Sequence, residues 1–331
     1  MSKPIAITCG DPTGVGPELT VKAWQALKSE LNLVLFSSFD FMKKQFPDIP
    51  MFKIERIHDV DKVTKKGLPI FDIPFSSSPK LGELNNNLAL ETIKSIQLAT
   101  NSTMNGETAA LCTNPINKFS LMSGANFNFT GHTDYLKHLT GSQKSIMMIA
   151  TDNFRVIPLT VHSSLKEAIK TITKSLIRST IEVSYESLRV LFNIRDPKIY
   201  VSGLNPHAGE NGMLGKEEIN IIKPAIDMLV EKKGWSITGP LSADTMFYSQ
   251  MRSKYDLAVC MYHDQALIPI KTVFFNEAIN ITLGLPIIRT SPDHGTAHDI
   301  AGKNLASPTS LINAIRMAKK LTDNKALYEN R

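Results

Sequence analysis

Three histidines stand out by where they fall. His162, His207 and His263 each lie at or just past the end of a short β-branched run: FRVIPLTV near 154–161, PKIYVSGL near 197–204 and DLAVCMY near 256–262. A lone histidine is more often a satisfied structural residue than a ligand. Three in the same context differ, because three imidazoles suit a borderline divalent ion and leave positions open for water or substrate. Their spacing matches no local zinc motif, so this expectation rests on the shared strand ends. Asp264 follows one of them directly, and Asp244 lies in GPLSADTMF after a turn. Either carboxylate could orient a metal-bound water, support a ligand or act as a base. A helix cap is an equal competitor for Asp244. His58 and His138 have no comparable context and are expected at the surface.

A second group of residues suits anions. Gly131-His132-Thr133-Asp134 opens a predicted helix, with Thr133 or Asp134 able to cap it and His132 at its positive end, where a phosphate fits. Lys271 and Arg289 flank Asn280 in IPIKTVFFNEAINITLGLPIIR. Two cations and an amide could clamp a phosphate and a carboxylate, although a surface lysine and a structural arginine are the default. Gly284 and Pro286 interrupt that segment, which therefore reads as strand and loop rather than helix. Near the amino end, Gly10, Gly14 and Gly16 give G-x3-G-x-G, not the G-x-G-x-x-G of a dinucleotide fold. Either these glycines let the backbone approach a ligand, with Pro17-Glu18 opening a helix whose amino end favours an anion, or they make a tight strand-to-helix turn.

The elements that must position these residues alternate. Further strands are predicted near 4–9, 31–38, 109–113 and 145–151, with amphipathic helices over 84–100, 165–192 and 216–233. Pro224 should kink or divide the last of these, and a final helix starts at the cap Ser307-Pro308. Alternation of this kind indicates βαβ units and a largely parallel sheet, whose ligands bind outside the carboxyl ends of the strands.

Composition narrows the class. The chain has 331 residues, 42% hydrophobic and 21% charged, enough for about two domains or one large α/β unit. The formal charge of +6 comes from scattered lysine pairs such as Lys43-Lys44 and Lys232-Lys233, so no nucleic-acid partner is expected. No apolar run reaches the length of a signal peptide or a membrane span, which points to a cytoplasmic protein without membrane association. Cys9, Cys112 and Cys260 lack CxxC spacing and are expected reduced and buried.

Eight blocks carry a resemblance. GDPTGVGPE, TNPINK, FTGHTD, GLNPHAGE, GPLSADT, MYHDQ, NITLGLPIIRTSPDHGT and AHDIAGK, in this order across almost the whole chain, resemble the 4-hydroxythreonine-4-phosphate dehydrogenase family. The tail 293–303 is also similar to the adenine-binding segment of isocitrate and isopropylmalate dehydrogenases. The resemblance implies an α/β fold of the isocitrate/isopropylmalate dehydrogenase type, with two α/β domains and a cleft between them. One domain would comprise 1–128 with 290–331, carrying the glycine loop and the tail; the other, 129–289, would carry the metal ligands and the dimer interface.

It further implies a homodimer in which His162 and His207 of one subunit and His263 of the other hold zinc, cobalt or magnesium. His132, Thr133, Lys271, Asn280 and Arg289 would bind a phosphorylated hydroxy acid. His294, Gly295, Thr296, Ala297 and Asp299 would bind NAD, the Asp299 carboxylate disfavouring the 2′-phosphate of NADP. At the position of Asn114 the family more often has glycine or alanine. The implied reaction is NAD(P)-dependent oxidation of 4-phosphooxy-L-threonine to 2-amino-3-oxo-4-phosphooxybutanoate, with Lys271 and Asp244 as candidate bases. Decarboxylation then gives 3-amino-2-oxopropyl phosphate for pyridoxal 5′-phosphate synthesis. A related phosphorylated sugar acid, 4-phospho-threonate or 4-phospho-erythronate, is the alternative substrate. A metal-dependent hydrolase or isomerase is the rival from another class, and the tail DHGTAHDIAGK argues against it.

Overall fold

The computed structural model describes residues 3–331. Its strands are β1 (Ile5–Thr8), β2 (Leu33–Ser37), β3 (Met51–Ile54), β4 (Leu68–Asp72), β5 (Ala110–Cys112), β6 (Ile146–Ala150), β7 (Arg155–Pro158), β8 (Ile199–Ser202), β9 (Ile237–Leu241), β10 (Leu257–Cys260), β11 (Ile279–Leu283) and β12 (Arg289–Pro292). Its α-helices are α1 (Gly16–Leu27), α2 (Phe39–Gln45), α3 (Val60–Val63), α4 (Ala89–Met104), α5 (Lys118–Ala125), α6 (His132–Leu139), α7 (Leu165–Thr171), α8 (Lys174–Leu191), α9 (Lys223–Lys233), α10 (Ser249–Arg252), α11 (His263–Phe274) and α12 (Thr309–Glu329). The chain divides into two compact units, residues up to 145 with 285–323, and 146–284 with 324–331. The expected division at 128/129 falls earlier than the observed one, so α6, with His132 and Thr133, lies in the first unit. The return to that unit comes at residue 285 rather than 290.

In the first unit the strands run in the order β3-β4-β2-β1-β5-β12, all parallel. Every residue of β1 and β2 is buried, as expected of a parallel sheet covered on both faces. Phe36 stacks on Phe71 at 5.1 Å, and Ile96 and Ala99 of α4 pack into the same core. The carboxyl ends of β1, β5 and β12 are neighbours, which brings the glycine loop, Asn114 and the tail motif to one edge of this sheet.

In the second unit the order is β11-β6-β7-β10-β8-β9. Strands β7, β10, β8 and β9 are parallel, but β6 is antiparallel to both β11 and β7. The sheet is largely parallel, as expected, and β6 departs from it for a simple reason. Only Asp152-Asn153 separate the paired residues Thr151 and Phe154, whose backbones bond at 2.8 Å, and two residues make a hairpin rather than a crossover. Ile149, Val156, Ala258, Cys260 and Ile270 form its core.

Two helix expectations are corrected. The helix over 165–192 is two, because the β-branched run Thr171-Ile172-Thr173 breaks it and the Thr173 hydroxyl caps α8 by accepting from the Leu176 amide at 3.1 Å. The segment around Lys271 is helical up to Phe274, so Lys271 belongs to α11; only its later part is strand and loop. Pro224 does divide its helix, separating a π-helical turn over Glu218–Ile222 from the body of α9. All three cysteines are buried and free, and burial pushes the Cys9 and Cys112 thiols up to about 12, which leaves them inert at neutral pH. Among the described residues no helix is long and apolar enough to cross a membrane.

Candidate active site

Adjacent parallel strands β7, β10 and β8 deliver the three histidines of the second unit to one sheet edge. His162 follows β7 with φ 50°, and His263 is the first residue of α11 after β10. Their ring centroids lie 6.0 Å apart. With metal–nitrogen bonds of about 2.0–2.1 Å, two imidazoles at a tetrahedral angle on one ion have centroids roughly 5 Å apart, so the pair stands within about 1 Å of the spacing that a shared divalent ion would set. Asp264 Oδ1 lies 2.7 Å from His263 Nδ1. A carboxylate only accepts, so the ring proton sits on Nδ1 and Nε2 keeps its lone pair for a ligand bond. Among the described residues no group of three or more His, Cys, Asp or Glu is close enough to hold an ion, so one chain presents a pair rather than a triad.

His207 is held differently. It begins a run of five residues in the left-handed region, His207, Ala208, Gly209, Glu210 and Asn211, with φ between 44° and 83°. Each non-glycine residue there costs roughly 1–2 kcal/mol, and such strain is concentrated at functional sites. Chiefly the Ser242 hydroxyl, which donates to its Oδ1, holds the Asp244 carboxyl below the usual range, with its own amide and His207 adding to the effect. Asp244 sits in the short turn Ala243–Thr245 behind Ser242, so it is not a helix cap. Lys271 lies eight residues beyond His263 on α11, roughly 12 Å along the helix axis, and Asn280 pairs with Ile149 on β11.

Sequence reasoning passed over two residues that build this edge. Gln265 Oε1 accepts from the Ser202 hydroxyl and the Met261 amide, both at 2.7 Å, while its Nε2 donates to the Gly203 carbonyl at 2.9 Å. One amide thus ties the ends of β8 and β10 together. Glu218, 3% exposed, accepts the amides of Leu204 and Asn205 at 2.7 and 2.8 Å. The available signal was the glutamine closing MYHDQ and the paired glutamates after the NPHAGE block.

The first unit holds an anion-compatible pair. His132 opens α6, and its Nε2 is buried without a hydrogen-bond partner. Burial, with the Arg289 charge adding to it, holds His132 well below the usual imidazole pKa, so it is neutral. Arg289, 3% exposed, donates from Nη2 to Thr113 Oγ1 at 2.6 Å; burial pulls it down to about 10, and it remains charged at neutral pH. A neutral donor beside a fixed cation suits an anionic group. Thr133 is the next residue of the helix, and Asp134 accepts the Thr130 amide at 3.1 Å instead of capping from the expected position.

The glycine loop is filled by protein. A Cβ on Gly10 would lie 2.6 Å from the Pro115 carbonyl, and one on Gly14 would lie 2.7 Å from the Thr296 carbonyl. Close backbone approach within the protein therefore explains these glycines, and the tight turn is the correct alternative. Asn114, fully buried, donates from Nδ2 to the Thr8 carbonyl and Thr20 Oγ1, stapling β5 to β1 and α1. The tail is pinned to this loop: the Val15 amide donates to Thr296 O, and His298, a third residue missed in the sequence, lies 3.1 Å from Thr13 Oγ1 and 3.3 Å from Asp11 Oδ2. His294 and Asp299 are exposed beyond it, Gly295 has nothing within 4 Å of a notional Cβ, and Ala297 is left-handed with φ 45°.

Comparison with known proteins places the chain. The family profile described as "Pyridoxal phosphate biosynthetic protein PdxA" matches residues 29–318. A 4-hydroxythreonine-4-phosphate dehydrogenase of Roseobacter denitrificans is 44% identical over 317 residues, covering 95% of this chain and 96% of the relative. The crystal structure of 4-hydroxythreonine-4-phosphate dehydrogenase from Klebsiella pneumoniae superposes with a TM-score of 0.86 at 34% identity, covering 97% of this chain and all of that one. An isocitrate dehydrogenase from Methylococcus capsulatus, 13% identical with a TM-score of 0.50, covers 99% of this chain and 88% of its own, and shares the fold alone. By profile, sequence and structure together, the chain belongs to the PdxA family of pyridoxal phosphate biosynthetic proteins.

Proposed function

We propose that the chain is a 4-hydroxythreonine-4-phosphate dehydrogenase that oxidises 4-phosphooxy-L-threonine with NAD, in a metal-dependent reaction on the way to pyridoxal 5′-phosphate. Family membership supplies the reaction class. The observation that carries the chemistry is the His162–His263 pair, with Asp264 setting the tautomer of His263. When bound, a divalent ion there supplies Lewis-acid polarisation of the substrate's secondary hydroxyl, and the nicotinamide ring accepts the hydride. The chain's own residues do the rest. His132 and Arg289 bind the phosphate, one as a neutral donor and one as a fixed cation, with Thr133 beside them; Asn280 contributes an amide. Asp244, kept ionised chiefly by the Ser242 hydroxyl, is a weak base and serves better as a support beside His207. Lys271 is then the remaining candidate to receive the hydroxyl proton, its long side chain spanning part of the roughly 12 Å of α11 that separates it from His263.

A homodimer is part of this reading. Val161, Met213, Leu214 and Ile268 expose apolar side chains beside His162, after the His207 loop and along the helix of His263, as a surface awaiting a second subunit does. The resemblance divides the ligands as His162 and His207 of one subunit with His263 of the other; this reading departs from that division, because the 6.0 Å spacing favours His162 and His263 acting from the same subunit, which leaves His207 as the ligand supplied across the interface. His294, Gly295, Thr296, Ala297 and Asp299 would hold the adenosine of NAD.

The test is a substrate and cofactor panel followed by NADH absorbance. Turnover of 4-phosphooxy-L-threonine, with NAD favoured over NADP, is expected. Activity confined to 4-phospho-threonate or 4-phospho-erythronate would remove the vitamin B6 assignment, and equal efficiency with NADP would remove the role given to Asp299.

A further inference from the structure

We infer that Glu218 is a positioning residue for His207: its buried carboxylate clamps the left-handed loop and thereby sets the affinity of the divalent metal. This rests on the metal reading of His207 given above. A run of four non-glycine residues and one glycine in the left-handed region does not persist on local preference, so something outside the run must fix it. Glu218 meets that need at the entry to the run and at its centre. Its Oε1 accepts the amides of Leu204 and Asn205, and its Oε2 accepts Asn205 Nδ2 at 3.0 Å, fixing the backbone that enters the run. Within the run, a Cβ on Gly209 would lie 2.6 Å from Glu218 Oε2, so the middle of the run is packed directly onto the same carboxylate.

The placement of Glu218 is itself unusual. It is the first residue of the π-helical turn that precedes α9, and such turns occur frequently at functional sites. The neighbouring Glu217 accepts Asn205 Nδ2 at 2.7 Å, so Asn205 is held by two carboxylates, two residues before His207. The carboxylate touches neither substrate nor cofactor in this account; it acts through the loop. A carboxylate is the matching group because all three atoms aimed at it are N–H donors. A glutamine in its place turns one acceptor into a donor facing another donor.

The experiment uses the full-length protein stripped of metal and titrated with cobalt(II) followed by visible absorption, and with zinc against a chromophoric chelator. Glu218→Gln is expected to weaken metal binding roughly 10- to 100-fold, the range seen when groups supporting metal ligands are altered, with circular dichroism and the melting temperature little changed. Saturating metal should restore kcat. Unchanged metal affinity would overturn the inference, as would a loss of kcat that excess metal does not restore. Should Glu218→Gln fail to fold, Asn205→Ala removes only the side-chain arm of the clamp and should weaken affinity several-fold; no change there overturns the inference equally. If the wild-type protein binds neither ion, the metal reading fails. The clamp is then still tested by amide exchange, since Leu204 and Asn205 must exchange faster in Glu218→Gln than in wild type.

Discussion

Two loops at strand ends look alike in sequence and behave oppositely. GDPTGVG after β1 and GLNPHAGENG after β8 are both rich in glycine, proline and polar residues. In the first, the residues from Gly10 to Gly16 are all buried, and its glycines are required because the Asn114-Pro115 and Thr296 backbones press against them. In the second, His207, Glu210 and Asn211 are exposed, and non-glycine residues adopt the conformation that glycine would adopt more easily. The first loop uses permissive residues to pack. The second spends stability to present a side chain. Strain in a residue that has no conformational need to be there is the better mark of function, and His162 shows it as well.

The largest expected effect tests the second loop's edge of that contrast. His162→Ala or His263→Ala should each remove several kcal/mol of transition-state stabilisation by emptying the metal site, on the order of 10³-fold in kcat/KM. Heterodimers that carry His162→Ala on one subunit and His263→Ala on the other decide how the pair is shared. With both histidines acting from one subunit, as the 6.0 Å spacing favours, every site in the mixed dimer is damaged and activity stays lost. Recovery of about half the wild-type activity would show that each site draws the two from different subunits, and would sink the same-subunit pairing.

The next effect tests the packing loop. In Gly14→Ala the new Cβ would meet the Thr296 carbonyl at 2.7 Å and Thr296 Cβ at 3.0 Å. Neither backbone can yield without loosening the tail, so a loss of about 1–3 kcal/mol is expected from urea unfolding. Gly295→Ala meets nothing within 4 Å and should stay within about 0.5 kcal/mol of wild type. If it also raises KM for NAD, a ligand rather than the protein approaches that glycine. Equal stability of the two variants would erase the distinction drawn here between a glycine that packs and one that is exposed.

The contrast also explains what the sequence could reveal. Seven predicted strands occur where β-branched residues are concentrated, and the histidines could be found because each follows such a run. Strands β3, β4, β9 and β12 escaped notice: MFKI and LPIFD are short, and ITGPL and RTSP carry proline or glycine, which weakens the local signal. The site was legible as residue types and not as contacts. Nothing in the spacing of Glu218, Gln265 or His298 shows that they brace Asn205, Ser202 and Thr13, because those bonds join positions 13, 63 and 285 residues apart. Nor could spacing tell which glycines were filled by the Thr296 and Pro115 backbones, since that depends on tertiary approach alone.

The smallest effect concerns His132, where the first unit has an unsatisfied side chain of its own. Burial and Arg289 hold its pKa below the ordinary imidazole value of about 6.5. Above that value both the folded and unfolded states carry a neutral ring, and stability does not depend on it. As pH falls below about 6.5 the unfolded chain takes up a proton that the folded one refuses, so stability falls with pH, at most about 1.4 kcal/mol per unit, until the folded pKa is passed. His132→Gln removes this term, and its melting temperature should decline less than that of wild type between neutral pH and mild acid. The same substitution keeps a neutral N–H donor beside Arg289. Substrate KM should therefore rise only several-fold for His132→Gln and further for His132→Ala, with little pH dependence of either ratio near neutrality. A wild-type KM that falls steeply on acidification, absent in His132→Gln, would mean that the ring binds phosphate as a cation, against the neutral form that its burial imposes.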